Sequence, residues 1–311
     1  MRFIILLLSA VVFPVFAQDE WSASAWLEKM SQALRNEQFK ASMIQIEANH
    51  IRPLVYLHGN VENQEVAFLE YLNGPTQKMV RVGNQVTFLS HEQTAYSVFS
   101  PRIEGLWPAV FSDDPHKLSE SYQFVLGGRA RIAGRSGQLV RLIPVDKYRY
   151  GYQLWLDMQN YLPLRFETIS NDKVLLEQLM TIEMLELNNT PKVLVDAAKR
   201  DWPEATSLIE RKEGKNWQFN WLPKGFEVVM RDHHQLLGST KRVEYIALTD
   251  GIANISVYVG SADETDLPDE LTSRNGLSVI TTQKGNAEIV VVGKAPAETL
   301  NHIANNISLK E

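Results

Sequence analysis

There is no cysteine among the 311 residues, which excludes a disulfide framework, a thiolate nucleophile and any Cys-bound metal. Stability must then rest on packing, and a chain of this length buries enough surface for one large or two ordinary domains. Beyond the first seventeen residues, no run approaches the roughly 18 consecutive apolar residues that a membrane-spanning helix needs. A basic excess is also missing: the formal net charge is −6, which argues against nucleic acid as a partner.

Catalytic and metal signatures are equally scarce. The histidines are His50, His58, His91, His116, His233, His234 and His302, with no H-E-x-x-H or His-x-His spacing among them. His233 and His234 are adjacent on an expected strand, so they point to opposite faces and cannot share a metal. "GRSGQ" at 134–138 lacks the closing glycine of a nucleophile elbow. "GGRARIAGRSG" precedes a strand, whereas phosphate cradles open a helix, so it reads as tight turns with solvated arginines. Asp113 and Asp114 have no second carboxylate placed to work with them and read as helix capping before Lys117. We expect no enzyme, no cofactor and no metal.

What is present begins with MRFIILLLSAVVFPVFA: Arg2, an apolar run from Phe3 to Phe16, and a cut expected after Ala17. This is the layout of a secretory signal peptide, and the absence of a cysteine after the cut argues against a lipid anchor there. The mature chain would hold 294 residues (311 minus 17) with a net charge of −7 once Arg2 is gone.

Next, Trp26, Met30, Ala33 and Leu34 fall at helical spacing behind Ser22 or Ser24 as N-cap. From Phe39 the period changes to two, and about eleven strands follow to Leu187, joined mostly by Gly-Pro and Gly-Asn turns. A short second helix is expected at Lys117 to Tyr122, after a Pro-punctuated loop from Pro101 that carries Trp107 and Phe111. Residues 188–216, with Pro191, Pro203 and clustered charges, read as an interdomain linker. A smaller unit of strands covers 217–311 and closes on a helix from Pro296 to about Ile307, with Pro296 at the first helical position. The fold class is α+β: a large antiparallel sheet in 18–187, then a second, smaller α+β domain.

The hairpin "GYQLWLDMQNYLPLRFE" (151–167) shows what the large sheet must solve. Tyr152, Leu154, Leu156, Met158, Leu162, Leu164 and Phe166 make one apolar face, opposite a mostly polar one. A sheet of this size curls or closes. Either its apolar faces bury one another as an ordinary core, or the sheet is a half-barrel on its helix with a cavity for an apolar ligand. Pattern alone leaves both open. For the second arrangement the expected lining and lid are Phe68, Phe88, Tyr96, Phe99, Trp107, Phe111, Leu154, Leu156, Leu164 and Phe166. In the smaller unit, Trp221, Lys224, Arg231, Lys241, Arg242 and Tyr245 form a basic and aromatic cluster in sequence, suited to an acidic peptide or an anionic head group.

"GRARIAGRSGQLVRLIPVDKYRYGYQLWLDMQNYLPLRFE" resembles the signature region of the periplasmic RseB/MucB family, negative regulators of the extracytoplasmic-stress sigma factor sigma-E. "WLPKGFEVV" at 221–229 and "NAEIVVVGKAPAETLNHIANNI" at 286–307 resemble its C-terminal domain. The resemblance implies a strongly curved half-barrel wrapped on helices around an apolar cavity, like the lipoprotein carriers LolA and LppX, plus the smaller domain. It implies a periplasmic, non-catalytic protein that binds the periplasmic segment of the membrane-spanning anti-sigma factor and shields it from proteolysis. Release would follow binding of lipopolysaccharide or lipoprotein acyl chains. A lipid or lipoprotein carrier is the alternative, and the oligomeric state is open between monomer and homo-oligomer.

Overall fold

The computed structural model describes residues 22–48, 50–206, 217–235, 242–261, 270–272 and 275–309, with backbone only at 234, 235, 242 and 270–272. The expected signal peptide, Lys241 and positions 207–216 of the expected linker lie outside the described residues, as does the side chain of Arg242.

Helix α1 (Ala23–Asn36) starts at Ser22, whose hydroxyl accepts from the Ala25 amide at 3.2 Å, a side-chain cap of an otherwise orphaned donor. Its stripe of Trp26, Leu27, Met30, Ala33 and Leu34 is buried. The large sheet comprises β1 (Phe39–Glu47), β2 (His50–Val61), β3 (Gln64–Tyr71), β4 (Gln77–Val82), β5 (Gln85–Ser90), β6 (Tyr96–Phe99), β7 (Tyr122–Ile132), β8 (Arg135–Pro144), β9 (Gly151–Asp157), β10 (Pro163–Ile169), β11 (Leu175–Glu186) and β12 (Ala205–Thr206). Helix α2 (Val110–Asp113) and a 3-10 turn (Pro115–Glu120) sit between β6 and β7, and α3 (Lys192–Lys199) lies between β11 and β12.

Neighbours in space run β12-β6-β5-β4-β3-β2-β1-β11-β10-β9-β8-β7. Two hairpin meanders therefore meet where β1 pairs with β11, and every pairing is antiparallel except β12 on β6. The sheet is not a closed barrel: its ends, β7 and β12, are unpaired with each other. Leu54, Tyr56 and Leu69 from one arm and Leu142, Leu154 and Leu156 from the other join α1 in one core, so the sheet wraps its helix. At the β7–β8 turn, Ala133 and Gly134 both adopt positive φ (50° and 79°), which makes one tight hairpin turn, while Gly127 and Gly128 lie within β7 at a register shift and not in a second turn.

Two expectations are corrected. Residues 192–206, read as linker, belong to the first domain: α3 packs Leu194 and Ala197 on Val66 and Val80 of the sheet's outer face, and β12 extends its edge. The reason lies in β3, whose outward Val66 and Phe68 are as apolar as its inward Ala67 and Leu69, so both faces need cover. The second short helix is a 3-10 turn that ends before Tyr122, with Asp114 capping it through the His116 amide at 3.1 Å.

The smaller domain holds β13 (Trp217–Phe219), β14 (Glu227–Gln235), β15 (Arg242–Thr249), β16 (Asn254–Ser261), β17 (Glu270–Thr272), β18 (Leu277–Lys284), β19 (Ala287–Lys294), α4 (Ala297–Asn305) and β20 (Ile307–Leu309). Six strands form a sheet in the order β14-β15-β16-β19-β18-β17, and β13 pairs with β20. Leu300, Ile303 and Ala304 of α4 share its core with Ile280, Ile289 and Val291. Pro296 caps α4 from one position earlier than expected, its carbonyl accepting from Thr299 and Leu300.

Candidate functional site

The two domains meet through polar groups that lie far apart in sequence. The turn between β15 and β16 enters the first domain: Ile252 packs on its core, and a Cβ at Gly251 would stand 3.3 Å from Leu118 and 3.5 Å from Val110. Beside it, the fully buried side chain of Arg149 donates to Asp250 Oδ2 at 2.9 Å, to both carboxylate oxygens of Asp146, and to the Lys224 carbonyl. Tyr122 Oη donates to the same Asp250 oxygen at 2.8 Å, and burial pushes its hydroxyl well above the usual tyrosine range. Asp250 Oδ1 in turn accepts from the Ile252 and Ala253 amides. A buried pair bonded this completely orients its partners even where its net contribution to stability is small.

Farther along the boundary, Trp221 stacks on His302 at 4.0 Å and meets Tyr148 edge-on at 4.9 Å. Thr299 donates to the Tyr148 carbonyl and Tyr150 to that of Gly276.

Between the domains lies a cleft of about 1110 Å³. Trp107, Tyr152 and Phe166 contribute to its wall from the first domain and Phe226, Tyr245 and Ile252 from the second. Glu47 and Glu177, also on its lining, are direct cross-strand partners on β1 and β11, and Lys294 of β19 reaches both, at 3.2 and 2.7 Å. Like charges placed opposite each other on a sheet repel, and their ionisation splits accordingly. Burial, then the hydrogen bond to Glu47, pushes Glu177 up to about 7. The hydrogen bond from Glu177 holds Glu47 below the usual carboxylate range, against burial and with help from Lys294. Burial opposes the Lys294 charge, but Glu177 and Glu47 outweigh it and raise that group. Gln45, on the same lining, is 8% exposed; its Nε2 donates to Glu47 Oε1 at 2.8 Å, and its Oε1 has no hydrogen-bond partner among the described residues. No group of three or more His, Cys, Asp or Glu among the described residues is arranged to hold a metal.

The expected lining residues do not all share one surface. Leu154, Leu156 and Phe111 are sealed inside the α1 core, with Phe111 edge-on to Phe166 at 5.5 Å, and Leu164 is likewise fully buried. The hairpin face is thus mostly packed core, because the wrapped sheet brings α1 and the 101–121 loop onto it. Phe68 is on the other face, under α3. Phe88 stacks on Tyr96 at 5.0 Å at the core margin, where Tyr96 remains 48% exposed, and Phe99 is exposed at the sheet edge. Trp107 folds back edge-on to Tyr56 at 5.6 Å and also lines the cleft, as does Phe166.

The basic and aromatic cluster of the second domain is dispersed. Trp221 and the Lys224 carbonyl are engaged at the domain boundary, Arg231 donates to the Trp217 carbonyl at 3.0 Å beside Glu244, and Tyr245 lines the cleft. The groups that sequence reasoning missed are Arg149, Asp250, Glu47, Glu177 and Lys294. A buried arginine inside a strand-rich segment of an acidic chain is a weak signal, and nothing local ties it to Asp250, 101 positions away.

Residues 22–206 match the MucB/RseB N-terminal domain and residues 211–308 the MucB/RseB C-terminal domain. The sigma-E factor regulatory protein RseB of Escherichia coli (strain K12) is 28% identical over 304 residues, 97% of this chain and 95% of that protein. The sigma factor AlgU regulatory protein MucB of Pseudomonas aeruginosa is 25% identical over 315 residues, covering 97% and 96%. In the solved complex of Pseudomonas aeruginosa MucA/MucB, a chain that is 22% identical superposes with a TM-score of 0.74 over 93% of this chain and 99% of that one.

Proposed function

The chain belongs to the MucB/RseB family, and from that premise we propose that it holds the periplasmic segment of a membrane-spanning anti-sigma factor, protects that segment from proteolysis, and releases it when lipopolysaccharide or the acyl chains of mislocalised lipoprotein bind. Its place is the periplasm, and its work is binding rather than catalysis. The observation that carries this reading is coverage: both domain types match, in order, across nearly the whole mature chain. A simple lipid carrier would have no need of the second domain or of the cleft between the two.

The cleft is the docking place that the geometry favours for an extended segment. It lies between domains joined by the Arg149 cluster, and aromatic residues of both domains border it. Acyl chains have a different entry. The hairpin core is packed, so the accessible apolar ground is the margin where Met79, Phe88 and Tyr96 lie beside Trp107 and Tyr56. A buried acyl chain contributes about 0.8 kcal/mol per CH₂, and Trp107, which packs on the same core and also lines the cleft, is the side chain through which insertion there would reach the bound segment. Coupling is reciprocal: lipid that weakens the anti-sigma segment is itself weakened by that segment, by the same factor.

The test is protection. The purified anti-sigma segment is exposed to a site-specific protease with and without the mature chain, then with added lipopolysaccharide or an acylated peptide. Slow cleavage that lipid restores to the rate of the free segment is the expected result. Cleavage at an unchanged rate in the presence of the chain would remove the regulator reading.

A further inference from the structure

The cleft floor sets two neighbouring carboxylates against one ammonium in direct contact, with Arg52 acting on Glu47 from β2. Two carboxylates on neighbouring strands, Glu47 and Glu177, are held by the single ammonium of Lys294. Burial, then the hydrogen bond to Glu47, pushes Glu177 up to about 7, while Lys294 and Arg52 help to hold Glu47 ionised, so near neutral pH the pair is poised between sharing one proton and carrying none. Beside them, Gln45 Oε1 is a buried acceptor with no donor among the described residues, a state that costs free energy unless a ligand or water supplies one. Tyr152 and Phe166, stacked at 5.6 Å, provide an aromatic wall on the same lining. The same lining also carries Glu104, Glu120 and Glu227, together with Lys117 and with Arg102 paired to Asp113 at 2.7 Å.

We propose that this floor is an anchoring subsite for one cationic side chain, lysine or arginine, of an extended partner peptide, bound by Glu47 and Glu177 with Gln45 Oε1 accepting one of its N–H groups. The incoming cation replaces the shared proton, which leaves to solvent, and its apolar stem lies along Tyr152 and Phe166. Lys294 occupies the same two carboxylates in the empty cleft and is the internal competitor. The proposal deepens the functional reading above and rests on it, since it names the chemistry by which a periplasmic segment is held.

The groups facing Glu177 set the pH behaviour: Glu47 from β1, Lys294 from β19 and Tyr152 from β9, with Arg52 and Tyr71 acting on Glu47. A carboxylate with its midpoint at about 7 is about one-eleventh ionised at pH 6 and about ten-elevenths at pH 8. If the cation takes only the ionised form, affinity rises about tenfold across that interval, with release of a proton.

The experiment is calorimetric titration of the full mature chain with the periplasmic segment of its own organism's anti-sigma factor at pH 6, 7 and 8, and with a copy of the segment whose lysines and arginines are glutamine. Binding about tenfold tighter at pH 8 than at pH 6, with that pH dependence lost in Glu177→Gln and the affinity weakened in the glutamine copy, is the expected outcome. Lys294→Met, which removes the competitor, should bind the segment more tightly than the parent; a purely structural lysine would not give that sign. If the segment binds but the affinity is level with pH and indifferent to its cationic residues, the subsite is wrong and the regulator reading stands. If the segment fails to bind at every pH, the regulator reading falls and the subsite with it.

Discussion

Replacing Arg149 with methionine keeps most of the side chain's volume and removes every charge-assisted contact it makes. Those contacts tie Asp146 on the first domain to Asp250 and the Lys224 carbonyl on the second. After the change, Asp250 Oδ2 keeps only Tyr122 Oη, and the Lys224 carbonyl keeps only Ser121 Oγ at 3.3 Å. Stranding one member of a buried pair costs about 3–5 kcal/mol, and this pair is fully buried on both sides. Because two of the lost bonds span the domain boundary, the loss falls on coupling as well as on stability. Differential scanning calorimetry should show the parent melting with its domains coupled, and the variant with an earlier, separable transition for the smaller domain. Arg149→Lys, which retains charge but not the fork that reaches both aspartates, should recover only part of the loss. A methionine variant within about 1 kcal/mol of the parent and with an unchanged melting profile would refute the claim that this cluster fixes the domains.

Other perturbations have equally definite outcomes. Leu154→Ala in the packed hairpin face should lower stability by about 2–5 kcal/mol in a urea titration, since the side chain is fully buried among α1 and its neighbours. Gly276 has φ of +78°, and a Cβ there would stand 2.7 Å from Leu176 and 3.0 Å from Tyr150 across the domain boundary; Gly276→Ala should therefore cost about 1–3 kcal/mol by the same measurement. Glu177 has its folded-state value raised to about 7 against 4.5, so the folded state holds the extra proton between those limits and stability falls as pH rises from about 5 to about 7. Glu177→Gln should flatten that fall in melting temperature; a parent whose melting temperature rises over the interval would contradict the sign. Phe88→Ser at the core margin should weaken binding of an acylated peptide followed by tryptophan fluorescence, while leaving affinity for the anti-sigma segment within a few fold.

The elements with strong local signals were legible before the fold. Ser22 and the Trp26–Leu34 stripe announce α1, and Tyr152, Leu154, Leu156 and Leu162 of the hairpin are buried against it as parity predicts, whereas a register shift between Pro163 and Arg165 takes Leu164 out of that core. The same alternation could not say whether that face lined a cavity or a core, because parity reports which side is apolar and not what covers it. The α3 and β12 segment was hidden by Pro191, Pro203 and its charges, although Val66 and Phe68 on the outer side of β3 already called for a cover. Phe68 was assigned to the wrong surface for the same reason: in a strand apolar on both faces, hydrophobicity no longer marks the inside. The domain boundary was least legible. Arg149 with Asp250, and Glu47 and Glu177 with Lys294, are pairings of distant residues, and no local window contains both members.

Under the proposed function, one molecule couples an anti-sigma segment to lipid. The most direct measurement is the affinity of the full mature chain for the periplasmic segment of its own organism's anti-sigma factor, taken alone and at saturating lipopolysaccharide, with the lipid affinity measured in turn with and without the segment. Both affinities should weaken by the same factor. Segment affinity that is identical with and without saturating lipid would contradict that coupling.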